Sequence, residues 1–273
     1  MKEAIYISSR TNQFVIRMHS LSDKKYRDSE RLFRFDGLKL FEESAACGIS
    51  PEYVLLREDI ADRYLPLIAD KTPSAQPVIL SGPAFSKITE EKAPQGIICV
   101  AGYIDRLHKS FDNNSDAAAA AADEDVIAVE SVQDPGNLGT VIRSAAAFGV
   151  GTLLLSSDCA DIYHPRTVRA AMGAVFSRRI IRTSDLPGAL KSLSSSGRRV
   201  LGAALSSDAV RLSDISVKRS DIFVIGNEGH GLSEAVVAAC NGTVFIPMPA
   251  GRGVEALNAA VAASVIMSER KRC

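Results

Sequence analysis

From residue 126 onward the chain alternates apolar runs of four to six residues with amphipathic helical stretches. That rhythm restricts this part to a mostly parallel sheet covered on both faces, because a strand apolar throughout has no face left for water. Strands are expected at 126–129, 152–155, 200–205, 222–225 and 243–246. Helices are expected at 138–148, ended by Gly149; at 186–193, with Asp185 as N-cap; from Ser233 to Cys240; and at 254–270. No segment repeats at the spacing of a solenoid or propeller, so the fold class is α/β.

The strongest boundary precedes this region. Residues 111–125, FDNNSDAAAAAADED, are of low complexity and polar at both ends. They read as a linker over 112–125, between an N-terminal domain at 1–111 and a C-terminal domain at 126–273; a long surface loop within one domain is the alternative. The first part reads as a small α/β unit, with a helix at 38–46 stopped by Gly48, short strands at 53–56 and 78–80, and a buried strand at 96–101. The 46% hydrophobic content supplies a sizeable core, and 32 basic residues balance 32 acidic ones. That neutrality excludes a protein that coats nucleic acid by bulk charge. The five cysteines are scattered without a CxxC pair, which argues against zinc and against a disulfide framework. The longest charge-free apolar stretch, 258–268, is too short to span a bilayer, and no secretory h-region opens the chain, so a cytoplasmic protein is the expectation.

Three polar or glycine-rich breaks carry the candidate chemistry. After the strand at 126–129 comes Asp134-Pro135-Gly136, read as a tight turn, with Asn137 placed to cap the next helix. No GxGxxG follows that strand, so a phosphate cradle there is disfavoured. Arg143 lies off the apolar stripe of the helix, either as a solvated side chain or as a guanidinium aimed at a phosphate or ribose. Gly226-Asn227-Glu228-Gly229-His230-Gly231 follows a buried strand, where open α/β sheets bind ligands. Glu228 either holds a turn or serves the site, and His230 reads as an exposed loop residue, not a metal ligand. The third break is Ile246-Pro247-Met248-Pro249-Ala250-Gly251-Arg252-Gly253, with Asn258 expected in the first turns of the last helix.

Taken together these breaks resemble the signature of the SpoU (TrmH-like) RNA ribose 2'-O-methyltransferases. Asn137, Gly139, Arg143 and Phe148-Gly149 match the first motif. Gly226, Glu228, Gly231 and Leu232 match the second. Ile246-Pro247-Met248 and Leu257-Asn258 match the third, with Ala256 where the family has serine. The resemblance covers about 126–270, and residues 25–56 resemble the family's N-terminal substrate-binding domain less specifically. It implies a C-terminal SPOUT domain with a deep trefoil knot, preceded by a small ribosomal-protein-L30e-like domain. It also implies S-adenosylmethionine held around Gly226, Asn227, Gly231, Ile246, Met248 and Leu257, a homodimer, and no metal. Arg143, Asn137, Glu228 and Asn258 become the implied catalytic residues. Free arginine is too basic to take a proton at neutral pH, which favours charge stabilisation by Arg143 over a role as base.

Two basic stretches are candidates for RNA contact. Residues 1–40 carry nine Lys/Arg, Arg34 among them, against five acids. Residues 164–182 carry Arg166, Arg169, Arg178, Arg179 and Arg182 without an acid. The expected reaction is methylation of a ribose 2'-hydroxyl in ribosomal RNA. Transfer RNA is the alternative substrate, and a non-catalytic RNA-binding protein that retains the fold is the alternative function.

Overall fold

The computed structural model describes residues 2–122, 125–248 and 256–271. In chain order the first elements are β1 (Ile5–Ile7), α1 (Gln13–Ser20), α2 (Lys24–Glu30), β2 (Leu32–Asp36), α3 (Leu38–Ala46), β3 (Tyr53–Arg57), α4 (Ala61–Lys71), β4 (Gln76–Leu80), α5 (Gly82–Ile88) and β5 (Ile97–Gly102). They continue as β6 (His108–Phe111), α6 (Asn114–Ala121), β7 (Val126–Val129), α7 (Pro135–Ala147), β8 (Thr152–Ser156), α8 (Pro165–Ala171), β9 (Arg179–Thr183) and α9 (Leu186–Ser195). The last are β10 (Val200–Ala203), β11 (Val210–Arg211), β12 (Ile222–Ile225), α10 (Glu234–Val237), β13 (Gly242–Phe245) and α11 (Ala259–Lys271).

The chain forms two compact units. One comprises residues 1–104 and 161–176, the other 105–160 and 177–273. The first unit holds a five-stranded sheet in the order β1-β4-β3-β5-β2, in which β1, β4 and β3 are parallel and β5 and β2 add antiparallel strands. Val15, Met18, Leu55, Val78, Phe85 and Ile98 form its core between helices and sheet. Arg27 is buried and pairs with Asp161 at 2.6 Å, its other donors taking the carbonyls of Leu21 and Ser22. A buried guanidinium is tolerable only when its fork is satisfied in this way.

The second unit holds an eight-stranded sheet in the order β11-β13-β10-β12-β7-β8-β9-β6, parallel at every pairing. Alternate residues of its central strands are buried on opposite faces. Val126 and Ala128 of β7, with Ile222 and Val224 of β12, join the cluster that takes in Ala189, Leu190 and Leu193 of α9. Ile127, Val129, Phe223 and Ile225 are buried on the other face, where α11 packs against α7 and β12. This is the doubly covered parallel sheet that the apolar runs predict.

The expected linker is not one. Residues 114–121 form α6, capped by Asn113, and Ala117, Ala118 and Ala121 are buried in the same core as α9. An alanine run packs a helix closely onto its neighbour without side-chain entropy to lose. The unit boundary accordingly falls near residue 104, and β6 belongs to the second sheet beside β9. The other expected elements are present with ends shifted by a few residues, and α10 is shorter than the expected 233–240, whereas β1, β2, β6, β9, β11, α1, α2, α4, α5 and α8 are not among those expected. The start expected for the last helix, at 254, and the passage 249–255 on which the implied knot turns lie outside the described residues. No helix among the described residues is long and apolar enough to cross a membrane.

Ala121→Asp is expected to destabilise the chain by about 3 kcal/mol, since it buries an unpaired carboxylate. Equilibrium denaturation checks this; a true linker position would tolerate the change.

Candidate active site

The site lies at the carboxyl ends of the second sheet's strands. In that sheet the strand order runs from β7 to β8 and β9 on one side, and to β12, β10 and β13 on the other. The chain therefore changes direction between β7 and β12, and such a switch point opens a crevice. A cavity of about 480 Å³ lies on the β12 side of it, lined by the segments that follow β10 (Ala203 to Ser206), β12 (Gly226 to Leu232) and β13 (Phe245, Ile246, Met248), and by Ala256, Leu257 and one face of α11. Its volume is that of a small-molecule site.

The glycine-rich loop is locked by its own backbone. Asn227 and Gly231 exchange two N–H···O bonds of 3.0 Å. The Asn227 side-chain oxygen accepts the N–H groups of Gly229 and His230, while its amide nitrogen donates to the Ser131 carbonyl at 2.7 Å. Two glycines are required by this geometry. Gly231 sits at φ +68°, and a Cβ on Gly226 would lie 2.4 Å from the Gly231 carbonyl carbon and 2.7 Å from the Leu232 nitrogen.

Asn137 does not cap its helix. Asp134 does, accepting the Asn137 N–H at 2.9 Å, with Pro135 at the first helical position where no N–H is needed. Residues 134–136 thus begin α7 and are not a free turn. The correction matters for the site, because it releases the Asn137 side chain. Its amide nitrogen donates to Glu228 Oε1 at 2.6 Å, and its oxygen accepts from Asn258 Nδ2 at 3.1 Å. Asn258 is not inside the last helix but caps it, its oxygen taking the N–H groups of Ala260 and Val261. With its oxygen so used, Asn258 can offer Asn137 only its NH2. Asn137 then turns its own NH2 to a carboxylate that can only accept, and each amide orientation follows from the one before.

Gly226, Asn227, Gly231, Ile246, Met248 and Leu257 all line the cavity, as do Glu228 and the substituted Ala256. Arg143 stands apart. It is exposed on α7, six residues beyond Asn137 and so roughly 9 Å further along the axis. It has no ion-pair or hydrogen-bond partner among the described residues, and Asn258 holds Asn137 instead of it. Three of the thiols are held protonated. Burial, with the Glu130 carboxylate nearby, pushes Cys240 up to about 11, and burial raises Cys99 and Cys159 as well. No group of three or more His, Cys, Asp or Glu among the described residues could hold a metal.

The basic stretches are largely dismantled. Arg34, expected to touch RNA, is 2% exposed and donates to Glu90 and to the Ile88 carbonyl. Arg17, Lys24, Arg27 and Lys39 are ion-paired with Glu30, Asp28, Asp161 and Glu43. The stretch 164–182 is divided between the two units. Arg166 and Arg169 lie exposed on α8, with Arg169 bridged to Glu91. Arg178 donates to the Val150 carbonyl, Arg179 opens β9 half-buried, and Arg182 donates to the carbonyls of Ser157, Cys159 and Ala160. An acid-free run of sequence is thus not an unpaired patch in space.

Sequence reading missed Asp134, although an Asp-Pro pair ahead of an apolar stripe is a cap signal. It also missed Glu130, whose partner Ser233 lies 103 residues away.

Comparison with known proteins gives the family. The profile of the SpoU rRNA Methylase family matches residues 124–268, and that of the MRM3-like substrate binding domain matches 12–99. The chain is 30% identical over 261 residues to the 23S rRNA (guanosine(2553)-2'-O)-methyltransferase of Bacillus subtilis (strain 168), covering 96% of this chain and 97% of that one. It is 26% identical over 292 residues to a mitochondrial rRNA methyltransferase 3A of Danio rerio, covering 91% of this chain and 66% of that one. An AdoMet-bound rRNA methyltransferase from Sinorhizobium meliloti superposes with a TM-score of 0.82 at 26% identity, over 98% of each chain. The chain belongs to the SpoU rRNA methylase family.

Two stability measurements test the site's construction. Asn137→Ala is expected to cost about 1 kcal/mol, with a coupling of roughly 0.5–1 kcal/mol to Asn258→Ala in a double-mutant cycle. Arg34→Ala is expected to cost about 2 kcal/mol, since it empties a buried side-chain site and takes a donor from the Ile88 carbonyl, so weaker RNA binding in that variant is to be compared at equal folded fraction.

Proposed function

We propose that this chain methylates a ribose 2'-hydroxyl of ribosomal RNA with S-adenosylmethionine as donor. The observation that carries the proposal is the Glu228–Asn137–Asn258 chain, which joins three sequence motifs at one rim of a glycine-walled cavity. The names of the two relatives and of the superposed structure, all rRNA methyltransferases, support ribosomal over transfer RNA.

The cavity fits the donor's chemistry. Ile225, Leu232, Val244 and Ile266 give it apolar walls, Ser206 and Asn227 give polar groups, and Gly226 leaves room for backbone groups to approach a ligand. When bound, S-adenosylmethionine supplies a methyl group on a positively charged sulfur, which needs no metal to make it electrophilic. Gly226, Asn227, Gly231, Ile246, Met248 and Leu257 would hold it. Glu228 has one carboxylate oxygen fixed by Asn137, and its other oxygen has no partner among the described residues. That oxygen orients a ribose hydroxyl or the donor. Arg143, with an unused donor fork, steadies the charge that grows on the 2'-oxygen as that oxygen is methylated and its proton passes to solvent water, or grips the neighbouring phosphate. An arginine asked to act as base would have to surrender a proton first, so stabilisation is the role assigned to it.

The proposal includes a homodimer acting in the cytoplasm. Arg143 fits the dimer, since it is exposed and absent from the lining of its own chain's cavity. Arg166, Arg169, Arg178 and Arg179 are proposed phosphate contacts, and Arg34 is not. The persistence of Asn137, Arg143, Glu228 and Asn258 tells against a fold kept only for RNA binding. Ala256 in place of serine removes one hydroxyl from the cavity wall, a loss on the order of 1 kcal/mol.

Calorimetry should give saturable S-adenosylmethionine binding at about one site per chain, unchanged within about threefold in Arg143→Ala. The same variant should lose methyl transfer to ribosomal RNA by about a hundredfold or more, a typical cost of removing one transition-state donor. No binding by folded wild-type protein would sink the proposal.

A further inference from the structure

The two residues that leave β7 are built unlike an ordinary strand exit. Ser131 sits at φ +55°, in the left-handed region that a non-glycine residue enters only at a cost. It is held there from outside. Its N–H donates to the Ser156 hydroxyl at 2.8 Å, and its own hydroxyl donates to Asp158 Oδ2 at 2.5 Å. This conformation leaves the Ser131 carbonyl accepting from the Asn227 side chain at 2.7 Å. The preceding Glu130 carboxylate accepts the Ser233 N–H at 2.8 Å and the Ser233 hydroxyl at 2.6 Å.

Two adjacent residues therefore grip both ends of one loop. Between the grips lie Glu228, Gly229, His230, Gly231 and Leu232, all of which line the cavity. Glu130 itself is 8% exposed and absent from the lining. Buried carboxylates are costly unless hydrogen-bonded, and charge-assisted bonds are stronger than neutral ones. The Ser233 hydroxyl also accepts the Val236 N–H, which leaves its proton for Glu130.

We propose that Glu130 is a positioning residue for the methyl-transfer site, holding the far end of the 226–233 loop so that Gly231 and Leu232 stay in place against the bound donor. The donor's identity rests on the function proposed above; the grip itself does not.

The test uses the full chain as wild type, Glu130→Ala, Glu130→Gln and Glu130→Asp, with two readouts. In hydrogen exchange without ligand, peptides covering 227–233 should exchange at least about tenfold faster in Glu130→Ala, while those covering β8 keep the wild-type rate. In calorimetry, Glu130→Ala should bind S-adenosylmethionine about tenfold or more weakly. Glu130→Gln keeps an acceptor for the Ser233 N–H and should stay within about threefold of wild type. A folded Glu130→Ala with wild-type exchange over 227–233 and wild-type affinity overturns the assignment. If Glu130→Ala does not fold, Glu130→Asp decides, since it keeps the charge and draws the carboxylate back from both Ser233 donors: faster exchange over 227–233 supports the grip, and wild-type exchange with wild-type affinity overturns it. Failure of wild-type protein to bind the donor would overturn the proposed function, while the exchange measurement would still decide the grip.

Discussion

One side-chain amide organises the site. Asn137 has a donor and an acceptor on opposite corners, and the structure uses both, one for Glu228 and one for Asn258. These partners lie 91 and 121 residues away in sequence. An aspartate there would set two carboxylates against each other, and an alanine would leave both partners unmet. The arrangement depends on a division of labour a few residues upstream. Asp134 caps α7 and Pro135 fills the position that lacks a partner, so Asn137 is spared the local duty its residue type usually takes. Asn258 does both jobs at once, capping α11 with its oxygen and reaching Asn137 with its nitrogen.

The parallel sheet makes this meeting possible. β7 and β12 are neighbours in space but distant in sequence, with Phe223, Val224 and Ile225 registered against Ile127, Ala128 and Val129. Their exits therefore emerge side by side, and the Glu130 N–H continues the ladder by donating to the Ile225 carbonyl. From that point the two chains diverge, one into α7 and the other into the glycine loop. Side chains near the fork then tie them together again. The close approach at Gly226 is the steric consequence, since the loop folds back on its own strand end and leaves no space for a Cβ.

Much of this was legible in the sequence, and what was not has a physical reason. Most strand and helix positions in the second unit follow from apolar runs and periodicity, which are local properties, but β6, β9 and β11 do not. The site residues were legible as three motifs, but their contacts were not, because hydrogen bonds across the sheet leave no mark on local composition. Asn137 was misread as a cap because Asn before an apolar stripe is ordinarily one. The alanine run was misread because low complexity signals a linker unless the residues are buried, and burial of Ala117 and Ala121 depends on α9, more than 60 residues on. Glu130 carried no signal, since a lone acid at a strand end is usually solvated.

The charges show the same limit from another side, and they bear on how RNA is held. Counted along the chain, residues 1–40 are basic; counted in space, Arg17, Lys24, Arg27, Arg34 and Lys39 already have carboxylate partners. A guanidinium that is buried and paired, as in Arg27 and Arg34, contributes to folding and is withdrawn from phosphate contact. With five of the nine basic residues of that stretch already paired, the stretch has less charge to exchange for counterions than its sequence suggests. Under the proposed function, recognition would fall to the shape of a folded RNA and to a few exposed arginines. In such an arrangement phosphate contacts set the register of the RNA, and the choice of nucleotide is left to the rim of the cavity.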